Sequence, residues 1–325
     1  MAEDRDAGDQ AFRAADANAC WPEMTYGGAL SFVRRRYSRD LQGVDVAVSG
    51  VPFDNAVTYR PGCRLGPRAI RAASVQLAEL KAFPHGFDPF ATLAVVDFGD
   101  CYLDPHRPLT VVDAIEAHGD AIWRAGAKPL TLGGDHFISY PLLKACAKHF
   151  GPVALVQFDA HCDTWVDDGQ RFDHGTMFAT AVREGIVDVT RSTQVGLRTY
   201  NDTDQGFEIL TSPWVHRHGI EAAIEVVRSR AGTGPVYLSF DVDGLDPAYA
   251  PGTGTPVVGG LASWQGLALI RGLVDLHWVG MDVVEVSPPF DHGEITALAA
   301  ASVAFEWLCG LALQKGAVPR PVGRL

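Results

Sequence analysis

Asp159, His161 and Asp163 stand two residues apart, directly after an apolar run from Val153 to Val156. That run reads as a buried parallel strand. In an extended segment, side chains two apart share a face. The three polar groups are therefore expected to project together just past the strand's carboxyl end. Charged groups are seldom buried unless they are paired or bind metal. Asp241 and Asp243 repeat the spacing after the apolar run Val236–Phe240, and Gly133-Gly134-Asp135-His136 follows a third such run. The candidate ligands are thus His136, Asp159, His161, Asp163, Asp241 and Asp243. Four carboxylates and two imidazoles are too many for one ion and suit two ions sharing carboxylates. An oxygen-rich set without thiolate favours Mn²⁺ over Zn²⁺. Two metals about 4 Å apart can hold a water between them and lower its pKa. Any one of these residues, taken alone, reads better as a strand-end cap or a surface acid. Six of them at three strand ends do not. Cys162 lies inside the first cluster, but by alternation it faces away and is expected to be a buried, inert thiol.

The elements that must position these residues follow a regular rhythm. Strands are expected over 44–50, 93–97, 129–132, 153–158, 193–197, 236–240 and 278–284. Helices are expected from Pro67 through Leu77 and over 110–125, 140–149, 176–184, 220–230, 263–274 and 294–313, with Pro67 suiting a first helical turn. Alternating strand and helix implies one parallel sheet covered on both faces. In such sheets the ligand crevice lies beyond the strand carboxyl ends, which is where all three clusters fall. No linker or internal repeat is visible. Residues 1–40 read as an arm or cap, 41–315 as one catalytic domain and 316–325 as a tail.

With 325 residues and 47% hydrophobic content, the chain can bury a large core. The net charge is −12 and no Lys/Arg run is present, which argues against nucleic acid and favours a cationic substrate. The six cysteines are scattered without C-x-x-C pairs, as expected of reduced thiols in a cytoplasmic protein. The acidic N-terminus is not a signal peptide, and no apolar run is expected to reach the roughly 18 residues of a membrane helix.

Three stretches, GGDH at 133–136, DAHCDT at 159–164 and SFDVDGLDPAYAPGTGTP at 239–256, resemble the signature regions of the ureohydrolase (arginase/agmatinase) family. GVPFD at 50–54, RPGCRLGPRAIR at 60–71, HGTMF at 174–178 and GMDVVEVSPPFD at 280–291 extend the likeness, which is greatest to the bacterial agmatinase branch. The resemblance implies an arginase-like fold, a three-layer αβα domain with a mostly parallel sheet of about eight strands. It also implies two Mn²⁺ per subunit: His136, Asp159, Asp163 and Asp241 would hold one, and Asp159, His161, Asp241 and Asp243 the other. Asp163 would also accept a hydrogen bond from the attacking hydroxide. Glu285 would pair with a substrate guanidinium, a planar fork that matches a carboxylate. His174 would orient substrate or shuttle a proton. The implied assembly is a homo-oligomer, a trimer or hexamer.

The loop over 165–173 bears on which guanidine is cut. It lacks the Ser/Asn-rich pattern with which arginase-like members grip an amino acid's head group. The loop's three aspartates, Asp167, Asp168 and Asp173, would form an acidic rim that repels a carboxylate and attracts an ammonium, so agmatine, cleaved to putrescine and urea, fits best. Arg171 is the element that could instead receive the carboxylate of 4-guanidinobutyrate or 3-guanidinopropionate. A non-catalytic, metal-binding regulatory subunit is the reading of a different class. The single-zinc deacetylase relatives of the fold do not carry these signatures.

Overall fold

The structure is a computed structural model, and it describes residues 25–28, 30–168 and 171–321. Its centre is one eight-stranded sheet. The strands are β1 (Val46–Val51), β2 (Val95–Asp100), β3 (Lys128–Gly133), β4 (Ala154–Phe158), β5 (Thr193–Leu197), β6 (Glu208–Thr211), β7 (Pro235–Asp241) and β8 (His277–Val284). Their spatial order is β2-β1-β3-β8-β7-β4-β5-β6, and every neighbouring pair is parallel.

Helices cover both faces, as near-continuous apolar strands require. They are α1 (Gly66–Ser74), α2 (Val111–Arg124), α3 (Ser139–Phe150), α4 (Met177–Arg183), α5 (Ser212–His218), α6 (Ile220–Ala231), α7 (Ser263–Gly272) and α8 (Ile295–Gln314). Alternation along the strands divides the core in two. Val156, Leu238 and Met281 pack with α1, α6, α7 and α8 on one face. Leu155, Tyr237 and Val279 pack with α2, α3 and α4 on the other. This is the expected three-layer αβα architecture.

Four expectations need correction. Strand β6 and helix α5 were not anticipated; β6 is a four-residue edge strand, too short to show a period, and Pro213 sits in the first turn of α5. The first helix ends at Ser74 and passes into a 3-10 turn over Val75–Ala78. An apolar helix of membrane-spanning length does exist: α8 runs for 20 residues. It is the core helix of one layer, however, and most of it is buried inside the fold. Finally, part of the N-terminal arm joins the core: Phe32 and Val33 are fully buried, and their N–H groups donate to Asp97 Oδ2 and Ser74 Oγ at 2.8 and 2.7 Å. Residues 1–24 and 322–325 of the expected arm and tail lie outside the described residues.

Four adjacent central strands, β3, β8, β7 and β4, carry the site at their carboxyl ends. His136 follows β3, Glu285 follows β8, Asp241 ends β7, and Asp159 follows β4.

Candidate metal centre

The backbone brings the six expected ligands together with short, saturated turns. After β3, the N–H groups of Gly134 and Asp135 donate to the carbonyls of Val51 and Phe53. A side chain at Gly134 would meet Phe53 O at 2.2 Å, so this close approach needs glycine. Asp135 is not a ligand: its carboxylate caps the turn, accepting from the N–H groups of Ala56 (2.8 Å) and Phe137 (3.2 Å). After β4, Asp159 Oδ1 accepts the His161 N–H at 2.6 Å, and Asp163 adopts a left-handed φ of 53°. The three residues do converge, but by a tight turn and a strained backbone rather than by strand alternation. After β7, Asp241 Oδ1 accepts the Asp243 N–H, and Asp243 Oδ1 accepts that of Ala160, which ties β7 to β4.

Two groups of ligand atoms result. His136 Nδ1 lies 3.0, 2.8 and 3.2 Å from oxygens of Asp159, Asp163 and Asp241. His161 Nδ1 lies 3.4 and 3.1 Å from oxygens of Asp159 and Asp243. Asp159 gives Oδ2 to the first group and Oδ1 to the second, as a bridging ligand would. Asp241 gives Oδ2 to the first group, and its Oδ1 accepts the Asp243 N–H at 2.7 Å. Cys162 is buried, and its sulfur receives the Asn201 amide at 3.2 Å, so it stands outside both groups as expected.

These atoms fit divalent cations. His136 Nδ1 is fully buried and makes no hydrogen bond, despite three carboxylates around it. Its ring state follows from the residues behind it. Ser239 Oγ donates to Asp282 at 2.6 Å and therefore accepts from His136 Nε2 at 2.8 Å. A proton is therefore on Nε2; the carboxylates around Nδ1 favour the charged ring when no cation is bound, and a cation in the basket would take the place of the Nδ1 proton. Asp282 is itself buried and also accepts from Ser139 and Tyr237 at 2.8 and 2.9 Å. This is the outer support that metal-binding histidines commonly have. Without cations, burial and neighbouring carboxylates push Asp241 well above the ordinary carboxylate range and Asp163 up to about 7. A cluster so crowded with acids needs positive charge to stay ionised.

Above the basket opens a cavity of about 370 Å³, lined in part by His161, Asp163, Asp241, His174, Trp165 and Asp167. His174 Nδ1 sits 2.8 Å from Glu285 Oε1. Burial would lower the His174 pKa, yet the Glu285 charge beside it raises it to about 9. Thr58 faces Nε2 with its hydroxyl at 2.8 Å and its N–H at 3.1 Å, and the hydroxyl oxygen can accept from a protonated Nε2. The Glu285 charge thus favours the imidazolium, with Nδ1–H donated to Oε1.

Glu285 is 1% exposed, has a left-handed φ of 66°, and also accepts from the His136 N–H (2.9 Å) and the Cys63 thiol (3.2 Å). It therefore lies beneath His174 and is not part of the cavity lining. Asp167 and Arg171 line the wall, and Asp167 accepts from the Thr176 hydroxyl at 2.7 Å. Asp168 is exposed and outside the lining. Residues 169 and 170 of the loop lie outside the described residues.

Sequence reasoning missed Ser239, Asp282, Thr58 and Cys63, and read Asp173 only as one of the loop's three aspartates. Polar residues inside otherwise apolar strands were the available signal for the first two.

The family model "Arginase family" matches residues 44–310. The chain belongs to the arginase family. Members of this family depend on a binuclear metal centre, in keeping with the two ligand groups found here. The chain is 56% identical over 311 residues to an agmatinase of Chromobacterium violaceum, covering 95% of this chain and 97% of that one. Its fold matches the crystal structure of a hypothetical agmatinase from Burkholderia thailandensis with a TM-score of 0.91 at 55% identity, covering 95% and 98% of the two chains. It also matches the proclavaminate amidino hydrolase of Streptomyces clavuligerus with a TM-score of 0.85 at 37% identity, covering 89% and 99%.

Proposed function

We propose that the protein hydrolyses agmatine to putrescine and urea at a centre holding two Mn²⁺ per subunit. The observation that carries this reading is one cavity whose floor is the two-group basket and whose wall includes Asp167. The high identity to relatives named agmatinase supports it. His136, Asp159, Asp163 and Asp241 would hold one ion, and Asp159, His161, Asp241 and Asp243 the other. Nitrogen and oxygen donors without thiolate suit manganese. Cations held there supply a water nucleophile of lowered pKa at neutral pH.

The chain's own groups do the rest. Glu285 presents a carboxylate to the planar guanidinium, which fixes the reacting carbon and removes orientational entropy from the barrier. For this, His174 gives up its Nδ1 hydrogen bond to Glu285 as the guanidinium docks. Freed from Glu285, the His174 imidazolium can pass its Nδ1 proton to the leaving amine and remain as the neutral ring. Trp165 and Val166 offer apolar surface to the methylene chain, and Asp167 and Asp168 draw the distal ammonium toward the mouth. The enzyme is read as a cytoplasmic homo-oligomer, a trimer or hexamer. The free, buried state of the five described cysteines supports the compartment.

The test is urea release by Mn²⁺-loaded protein from agmatine, L-arginine, 4-guanidinobutyrate and 3-guanidinopropionate, measured in parallel. A clear preference for agmatine is expected. Preference for a guanidino acid would keep the chemistry and overturn the substrate. Two bound metals with urea from none of them would favour a non-catalytic role.

A further inference from the structure

We propose that Asp173 sets the substrate class of this site by neutralising Arg171, so that the cavity rejects guanidino acids. The inference rests on the reading of the cavity as a guanidine-hydrolysing site. Among the described residues that line it, Arg171 is the one lysine or arginine, and so the one fixed cation a substrate carboxylate could meet. Its Nη2 instead donates to Asp173 Oδ2 at 2.8 Å. The two partners differ in freedom. The Arg171 side chain is 62% exposed, and that of Asp173 only 10%. Asp173 is also pinned through its other oxygen, which accepts the Gly175 N–H at 2.9 Å. The buried acid is therefore the anchor, and the arginine is the group being held.

The consequence for selection is electrostatic. With the pair closed, Arg171 and Asp173 cancel, and Asp167 leaves the wall negative. Agmatine and 4-guanidinobutyrate share a guanidinium and a short methylene chain but end in an ammonium and a carboxylate. A wall of this sign attracts the first and repels the second. Removing the Asp173 charge would expose a cation on the same wall and reverse both tendencies. Selection of this kind works through repulsion of the wrong ligand as much as attraction of the right one.

The experiment uses Mn²⁺-loaded full-length protein and compares Asp173→Asn, Arg171→Gln and the double variant. Asparagine keeps an acceptor for the Gly175 N–H and removes only the charge. For Asp173→Asn, the ratio of kcat/KM for agmatine over 4-guanidinobutyrate should fall about tenfold or more, mainly through KM. The change should shrink as salt is raised. The double variant should recover most of the ratio, since no cation is then exposed. An unchanged ratio in Asp173→Asn overturns the proposal. So does an equal loss on both substrates with loss of bound manganese, which would make Asp173 structural. If the unaltered protein itself prefers 4-guanidinobutyrate, the agmatine reading fails before any variant is made. If it prefers agmatine and Asp173→Asn does not move the ratio, only this inference fails.

Discussion

At the floor of the cavity, His136, Asp159, Asp241 and Asp243 are each at most 2% exposed, and their spare atoms are taken by backbone N–H groups or by Ser239. On the wall, the Arg171 side chain is 62% exposed and is held through one side-chain pair. The floor is built from the ends of four neighbouring strands, whose positions the whole sheet fixes. The wall comes from the loop between β4 and α4, which loosely constrained side chains can reshape without disturbing the sheet. The chemistry should therefore reside in the floor and substrate choice in the wall. Substitutions in the two regions should separate accordingly, floor changes moving metal content and kcat, wall changes moving KM and substrate ratio.

The largest effect is expected at the floor. Asp241→Ala removes a buried ligand and leaves His136 facing two carboxylates. Turnover should fall on the order of 10³-fold or more, with fewer than two manganese ions per chain by elemental analysis. The same variant should lose much of the thermal stabilisation that Mn²⁺ gives, because a ligand that binds only the folded state raises its stability, by about 2.7 kcal/mol at a hundredfold excess over Kd. Full metal content with normal turnover would remove Asp241 from the basket.

Glu285→Gln comes next and divides the floor itself. The residue touches no ligand side chain but accepts from the His136 N–H and from His174. Two manganese ions should be retained, while kcat drops about 10²- to 10³-fold for want of the charge that fixes the guanidinium. Loss of metal in this variant would instead make Glu285 a support of the basket.

How far the sequence carries this division depends on the kind of signal each part leaves. The clustering of the six candidate ligands was legible because acids and histidines at strand ends break an apolar pattern, and the parallel-sheet rhythm says where those ends point. The convergence of Asp163 was anticipated for the wrong reason, since its left-handed backbone is a tertiary constraint that no local propensity announces. Ser239 and Asp282 stand inside runs that read simply as buried strands. Their partnership with His136 needs the register of β7 against β8, where Ser239 lies opposite Asp282. The pairing of Arg171 with Asp173 hid in plain view, because two charges spaced two apart in a loop carry no fixed direction. The edge strand β6 was lost for lack of length.

Ser239→Ala tests the hidden layer. It removes the hydroxyl that accepts from His136 Nε2 and relays the Asp282 charge, but it leaves all six ligands in place. Manganese affinity, measured by titration calorimetry, should weaken about 10- to 100-fold, the usual cost of disturbing an outer-shell partner. Activity at saturating metal should recover substantially. An unchanged affinity would mean that the buried Asp282 serves the core and not the ligand.

The smallest effect belongs to the wall. Thr176 donates to Asp167 at 2.7 Å and so helps to aim that carboxylate. Thr176→Val keeps the shape and removes the donor. If the wall acts only by attracting the distal ammonium, the loosened Asp167 should raise KM for agmatine about two- to fivefold, with kcat moving less and manganese content unaltered. The direction is as informative as the size. A fall in kcat at constant KM would mean that the wall also positions the reacting carbon over the basket. Substrate choice and chemistry would then share residues, and the separation between floor and wall would not hold.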